Sequence, residues 1–468
     1  MQIEKRLSPR LILSILSIAL LGFTDIMLET ALNVSFPTLM TELKVNSATV
    51  QWLTSGVILL TSLVIILSPW LKKNFSNRKQ FMVAGIISVI GILIDAISGN
   101  FWLILFGRLL QGIGGGVGLP LMNNVVFEQV PERKRGTMIG LAALIVSIAP
   151  ALGPAFGGFL TQNYGWRMVF WVVLPVQVLS LILGWFTICQ VDPLVKTPLD
   201  YKGWLLLSTC FVGGLLFIER ISAHPVTDPV TGISLLAMVL GGIAYYLFSR
   251  REKEPLLDLH IFKFSIFAQS VGAAFIISVV NLTFNYSIPM GLQLVLHQNS
   301  QVAGFALFPG AIASALMAII AGNLYDRFGA KLPIIIGLSI YAAGLAWMIL
   351  TPFTTAHVTI GYALLQIGSG CWFGNNMTNA ISQLDRSEYS AANSIFSASN
   401  NYSAAVGIAV AAAIISIFQN GNLAQGPATK VAIHWTYWLD LLLFASAVVL
   451  AILALRKSYA LAAAKKEN

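Results

Sequence analysis

GLAALIVSIAPALGPAFGGFL, residues 140–160, is apolar enough to lie in a membrane, yet it places Pro150, Gly153, Pro154, Gly157 and Gly158 within nine residues. Such a run breaks a helix in water. In a bilayer the helix persists, because neighbouring helices and local backbone adjustments satisfy the freed carbonyls. The two prolines remove two backbone donors and bend the helix. The glycines let a second backbone come very close. A bent helix with a small-residue face suits a moving interface between two helix bundles.

The rest of the chain fits that setting. Of 468 residues, 57% are hydrophobic and only 10% charged, against about 25% charged in an ordinary soluble domain. No core absorbs that much apolar surface, so the expected fold is an all-α polytopic membrane protein. The net charge of +9 does not point to nucleic acid, because Lys and Arg fall in short clusters between apolar runs, a pattern of membrane topology. Cys189, Cys210 and Cys371 make no metal spacing and no disulfide framework. Lys5, Arg6 and Arg10 precede an apolar run, as in a signal peptide. That run continues through Asp25 and Glu29 without a small-residue cleavage site, and reads as a retained first helix, capped at Ser8-Pro9.

Fourteen segments reach the roughly 20 residues a spanning helix needs. They lie near 11–39, 48–70, 81–99, 101–126, 137–160, 168–189, 203–221, 231–248, 266–291, 301–323, 333–350, 356–382, 391–418 and 435–456. An even number puts both termini on one side of the membrane. Of the 28 Lys and Arg, 23 fall on that side and 4 on the other, and Arg108 lies within a span. That asymmetry places both termini in the cytoplasm.

An internal repeat is visible. Residues 322–331 read GNLYDRFGAK, and residues 69–79 read PWLKKNFSNRK after the second span. Both resemble the loop motif G-x-L-x-D-R-x-G-R-K of the major facilitator superfamily, which recurs in the two halves of its members. Gly322, Asp326, Arg327 and Gly329 keep the motif. In the first copy Pro69 stands for the first glycine, Lys73 for the acid and Ser76 for the second glycine. The opening stretch, with Gly140 upstream, resembles the antiporter motif of the same superfamily, which has a further glycine where Ala149 stands. LETALNVSFP (28–37), GRLLQGIGGG (107–116), YGWRMVFWVVLP (164–175), LDYKG (199–203) and EPLLDLHIF (254–262) resemble further motifs of its 14-helix drug:proton antiporter branch, with Glu29 in place of an aspartate. The resemblance covers nearly the whole chain. It implies a major facilitator fold with a six-helix bundle in 1–190, an inserted two-helix segment in 191–263 and a second bundle in 264–468. It also implies that Lys73, in an acid's place, weakens a cytoplasmic latch between the halves and tilts the resting state inward.

Ionisable groups inside a bilayer cost about 2.5–3.5 kcal/mol each on the mildest scale, so they need a reason to be there. Asp25, Glu29 and Asn33 follow one another at intervals of four and share a helix face. Two carboxylates one turn apart in a low dielectric repel, so at least one is expected to hold a proton near neutral pH. Arg108 shares its face with Gln111, and the resemblance implies a role for it in proton coupling. Asp95 has no motif behind it and is left as structural or functional with equal weight. In the second half, Asn281, Asn285, Tyr286, Trp372, Asn375 and Asn379, with Asn33 and Gln111 from the first half, are candidates for a mixed polar and aromatic substrate wall. Interhelical glue is the blander reading of any single asparagine.

The function expected is a proton-coupled secondary transporter that exports amphiphilic, cationic compounds by alternating access, not an enzyme. No G-x-x-x-x-G-K-[ST] loop is present to bind nucleotide. An exporter of one defined lipid, peptide, metabolite or tetracycline–metal complex is the alternative. A membrane enzyme would need a nucleophile–base pair or a metal cluster, and no histidine pair or Cys/His cluster occurs. A channel fits duplicated halves and buried acids less well. The expected partners are a small-molecule substrate, protons and the lipid bilayer of a bacterial plasma membrane. No nucleic acid, cofactor or metal is called for, and the chain is taken as a monomer.

Overall fold

Ser8 caps the first helix as expected: its hydroxyl accepts from the Leu11 N–H at 3.2 Å, and Pro9 occupies the first turn. This is seen in a computed structural model, which describes residues 8–130, 132–190, 193–222, 224, 227–252, 255–382, 384, 388–421 and 423–467. The helices are α1 (Pro9–Leu43), α2 (Ser47–Val50), α3 (Trp52–Ile66), α4 (Ser68–Asn74), α5 (Asn77–Ile97), α6 (Phe101–Gln129), α7 (Glu132–Tyr164) and α8 (Arg167–Thr187). They continue as α9 (Tyr201–Arg220), α10 (Pro229–Ser249), α11 (Ser265–Leu294), α12 (Ser300–Phe328), α13 (Lys331–Leu350), α14 (Thr355–Ile381), α15 (Tyr389–Gln419) and α16 (Gln425–Glu467). Side-chain caps at Asn46, Ser76, Asn100, Asp200, Asp228, Asn299 and Thr354 fix most of the starts, each satisfying an N–H that the helix itself cannot.

Among the described residues, twelve helices are long and apolar enough to cross a membrane, with 47–66 counted as one. Helices α7 and α14, of 33 and 27 residues, have the length as well, which is compatible with the expected fourteen. Two boundaries differ from expectation. The second span stops at Ile66 and the chain restarts as the short α4 at Ser68, because Pro69 has no N–H to continue the ladder. The last helix runs from Gln425 to Glu467, well beyond 435–456, because hydropathy reports the apolar part of a helix and not its ends.

Helices α1, α3 and α5–α8 pack together, as do α11–α16. The two sets meet along two seams, α7 on α12 and α3 on α15. The glycines of 140–160 divide between two jobs. A Cβ at Gly157 would strike the backbone of Ala31, and one at Gly153 would strike Thr30, so both face α1 within the first set. A Cβ at Gly158 would strike the Ser300 carbonyl, and one at Gly304 the Pro154 carbonyl. The contact between halves is therefore made by Pro154 and Gly158 against α12, not by Gly153 and Gly157. Gly140 lies on α7 where the surroundings fall outside the described residues.

The loop motifs sit at the helix ends. Gly329 adopts φ +74° and closes α12, its N–H donating to Tyr325 O at 2.8 Å. Gly322 has open space around its α-carbon, and Asp326 and Arg327 are exposed in the last turn. In the decayed copy, Lys72 pairs with Glu128 of α6 at 3.1 Å, and Asn77 donates to the same carboxylate at 2.9 Å. Lys73, beside it, also has an interaction of its own. In the Tyr164–Pro175 motif, Trp166 and Arg167 both donate to Glu42 at 2.7 Å, tying α8 to the end of α1.

Helices α9 and α10 pack on each other through Gly213 and Gly241. Helix α9 lies over the α3–α15 seam. Trp204 donates to Leu63 O of α3 at 3.1 Å, and Tyr402 of α15 donates to Phe211 O at 3.1 Å with the two rings stacked 4.1 Å apart.

The division of the glycines predicts two phenotypes. Overpacking a helix contact costs about 1–3 kcal/mol, a shift of about 5–150-fold in an equilibrium. Gly157→Leu acts inside one bundle and is expected to lower the thermal unfolding midpoint of the purified protein. Gly304→Leu acts between bundles and is expected to leave that midpoint nearly unchanged while slowing transport by about the same factor. Equal thermal shifts in the two variants would mean that the α7–α12 contact is as permanent as the α7–α1 contact.

Candidate functional site

The i, i+4, i+8 spacing on α1 turns Asp25, Glu29 and Asn33 toward the middle of the molecule, and each meets a different environment. Asp25 is half-buried among four helices. Ser88 of α5 donates to its Oδ1 at 3.1 Å, and Gln177 of α8 donates to the Ser88 hydroxyl at 3.2 Å. The Thr24 hydroxyl closes the set on Gln177 Oε1. The other oxygen, Oδ2, is buried without a partner beside Gly115 of α6, where a Cβ would stand 3.5 Å away.

Arg108 of α6 is 1% exposed. Its Nε donates to Leu53 O of α3 at 2.8 Å, and one terminal nitrogen donates to Gln111 Oε1 at 2.6 Å. Gln111 then donates to Asp95 Oδ2 of α5 at 2.7 Å. Gly91 and Gly107 let α5 and α6 approach closely enough for this relay, since a Cβ at Gly107 would strike Asp95 Oδ1. The second terminal nitrogen of Arg108 and Asp95 Oδ1 have no partner. The guanidinium acts electrostatically on Asp95, Glu29 and Asp25. One cation among three carboxyls leaves two negative charges to neutralise. Uncompensated buried charge is costly.

Asn33, higher on α1, is buried where the halves meet. It donates to Asn285 Oδ1 of α11 at 3.4 Å and accepts from Thr54 of α3 at 2.9 Å. Asn285 in turn donates to the Tyr362 hydroxyl of α14 at 3.2 Å. Gln293 adds a bond across the same boundary, donating to Val34 O at 2.8 Å.

The structure therefore brings Asp25, Glu29, Arg108 and Gln111 into one charge cluster, and Asn33 and Asn285 into a pair across the halves. Gln111 belongs to the charge cluster. Asn281 is held in the second half, donating to Ser369 at 3.0 Å and accepting from Tyr341 at 3.1 Å. Tyr286 packs on Phe36 and donates to Ser47 O at 3.0 Å, joining the halves beyond Asn33. Trp372 is buried against Gly337 of α13, Asn375 donates to Cys371 O of its own helix, and Asn379 accepts from Ser458 of α16. Those three are not brought to the Asn33–Asn285 pair.

Four residues escaped the sequence reading as site members. Asp95 was legible only as a buried acid. Thr54 and Tyr362 carried no signal, since single hydroxyls are common in membrane helices. Asp440, fully buried in α16, carried the same signal as Asp25: an acid within an apolar run.

The comparisons agree with this architecture. The Major Facilitator Superfamily family model matches residues 18–265 and 270–468. The lincomycin resistance protein LmrB of Listeria monocytogenes is 32% identical over 419 residues, 88% of each chain. Its namesake in Bacillus subtilis is 30% identical over 425 residues, 89% of this chain and 88% of its own. The multidrug resistance protein B homolog of Mycobacterium tuberculosis is 26% identical over 86% of this chain and 76% of its own. Among solved structures, the fold is similar to the POT family transporter PepTSo (TM-score 0.68, 15% identity, 97% of this chain and 99% of that one). It is also similar to a bacterial homolog of the human lysosomal transporter Spinster in an inward-facing, unoccupied conformation (TM-score 0.64, 16% identity, 96% of each). With both of its halves matched by that model and relatives at 30% identity or more along nearly nine-tenths of its length, this chain belongs to the Major Facilitator Superfamily.

Proposed function

We propose that this transporter exports amphiphilic, cationic compounds from the cytoplasm or inner leaflet in exchange for protons, in a bacterial plasma membrane with both termini inside. The observation that carries the reading is the cluster of Asp25, Glu29 and Asp95 around the single cation Arg108. It holds exchangeable protons and, when deprotonated, offers a negative surface to a positively charged substrate. The relatives named for lincomycin and multidrug resistance support export of drugs. The bundles 1–190 and 264–468 would rock about the Asn33–Asn285 contact, with 191–263 packed across one seam.

The physical cycle follows from charge balance. Protons entering from outside neutralise the carboxyls and displace the substrate there. Their release inside restores the negative charge that recruits the next substrate. Each charge moved across the membrane supplies about 2.3 kcal/mol per 100 mV. No residue has to form a covalent bond, and the chain works as a monomer.

The test is a proteoliposome assay with an imposed pH gradient and a panel containing lincomycin and cationic, zwitterionic and neutral dyes. Uphill movement of several cations is expected. Movement of lincomycin alone would make the protein an exporter of one drug class, and no uphill movement of any compound would sink the proton-driven reading.

Glu29→Gln and Asp25→Asn remove titratable carboxyls while keeping size. Each is expected to lower gradient-driven efflux by about tenfold or more, the signature of an interaction needed for turnover. Energy-independent exchange of the same dye across the membrane should survive. Unchanged uphill efflux in both variants would remove α1 from the coupling.

A further inference from the structure

Asp440 lies in the second half, on α16, far along the chain from the cluster around Arg108. It is fully buried. Thr283 of α11 lies 2.7 Å from its Oδ2, and its Oδ1 has no partner. The Thr283 hydroxyl lies equally close, 2.7 Å, to the carbonyl of Val280 in its own helix. A hydroxyl has one hydrogen to give. If Asp440 were ionised, Thr283 would have to abandon Val280 O, and the carboxylate would keep a single hydrogen bond in an apolar site. If Asp440 carries a proton, it donates to the Thr283 oxygen, Thr283 donates to Val280 O, and both short contacts are satisfied together. A protonated Asp440 thus satisfies both short contacts with a hydrogen each, whereas an ionised one leaves them to share one.

No cation holds it. The facing groups are Thr283 from α11, Tyr341 from α13 and Tyr437 from its own helix. Helix α15, also packed on α16, carries no charged side chain between Tyr389 and Gln419. Two of these groups are ready to receive a carboxylate. Thr283 can turn its hydrogen from Val280 O. The Tyr437 hydroxyl, three residues before Asp440 and on the same face, is buried without a partner. Tyr341 donates to Asn281, which donates to Ser369 of α14. Those polar groups lie in the interior of the second half, where Tyr341 feels the charge of Asp440.

We propose that Asp440 is a second proton-carrying carboxyl, in the C-terminal half, that gives up and regains one proton in each transport cycle. This rests on the proton-driven reading above. In the release step the Asp440 O–H bond breaks and the proton passes to water that reaches the site when the helices around it part. The carboxylate left behind accepts from Thr283 and Tyr437. Both halves then carry an exchangeable proton, one set around Arg108 and one on Asp440 with no cation beside it.

Infrared spectroscopy of the full chain in liposomes tests the protonation with the proton as the only probe. The wild type is expected to show a carboxylic-acid carbonyl band that is absent in Asp440→Asn, is displaced in Thr283→Val and fades reversibly as pH is raised. A spectrum that is the same in wild type and Asp440→Asn overturns the proposal, as does an Asp440 band that persists until the protein unfolds. Asp25→Asn should leave this band in place. In the transport arm, ethidium efflux from liposomes is followed against the size of the pH gradient. Asp440→Asn is expected to depend less steeply on the gradient than wild type, and Thr283→Val to shift the profile if Asp440→Asn does not fold. Identical steepness in wild type and the folded variant overturns the role of Asp440 alone. Wild-type efflux that ignores the gradient overturns the exporter reading together with this one.

Discussion

One buried guanidinium sets the terms for the first half of this protein. Arg108 reaches Leu53 O on one side and Gln111 on the other, and its field covers Asp25, Glu29 and Asp95. A lone cation in hydrocarbon needs compensation, and three carboxyls over-compensate it. On the proposed reading, that surplus is what would let the site take up protons or a cationic guest. Close helix contact is a precondition. Gly91 and Gly107 let α5 and α6 approach until Asp95 lies within reach of Gln111. A methyl group at either would push the two helices apart and weaken the interactions of Asp95 with the set, because Coulomb energy in a low dielectric falls with each ångström.

The fold was largely legible because its constraints are periodic. Span lengths follow from bilayer thickness, the first start from the Ser8 cap, and the halves from the repeated loop motif. What the sequence could not show was direction around a helix. Gly153, Gly157 and Gly158 look alike in the chain, yet a one-residue step, about 100° of rotation on an α-helix, sends Gly158 toward α12 and Gly157 toward α1. The same holds at the site. The four-residue interval fixed the shared face of Asp25, Glu29 and Asn33. It did not say that Asn375 bonds to Cys371 O and Asn379 to Ser458 inside the second half, because asparagines serve as glue and as ligands with the same chemistry. Asp95 and Asp440 were visible as buried acids, but their partners come from other helices, and Gln111 and Thr283 announce nothing in sequence.

On the proposed alternating-access reading, α9 meets the main fold at a seam that would have to open. Helix α9 donates from Trp204 to α3 and accepts from Tyr402 of α15, so it holds on to both halves at once. A rigid staple there would oppose rocking. Each hold is a single hydrogen bond to a backbone carbonyl, net about 1 kcal/mol, and the Phe211–Tyr402 stack is the larger contact. Such bonds can break and remake during a cycle. The stack keeps α9 with α15 while Trp204 lets α3 go, which makes the insert part of the second half in any state where α3 and α15 separate.

Chemistry and movement are joined by the shortest route the fold offers. Helix α1 carries Asp25 and Glu29 on one face and presents Thr30 and Ala31 to α7 on another. Helix α7 meets α12 through Pro154 and Gly158. No side chain intervenes at Ala31–Gly157 or at Pro154–Gly304, so backbone lies on backbone at both steps. A change in the charge of α1 alters its attraction to Arg108 on α6. Any resulting shift of α1 is felt by α7 without being absorbed in rotamer changes, since a glycine contact has no rotamers to give. Proline supplies the compliance instead: Pro150 and Pro154 leave carbonyls of α7 without helical partners, so the helix can flex between its two contacts. The stretch at 140–160 is thus stiff across its width and soft along its length, which is the combination a helix needs to pass a displacement from a proton site to a seam.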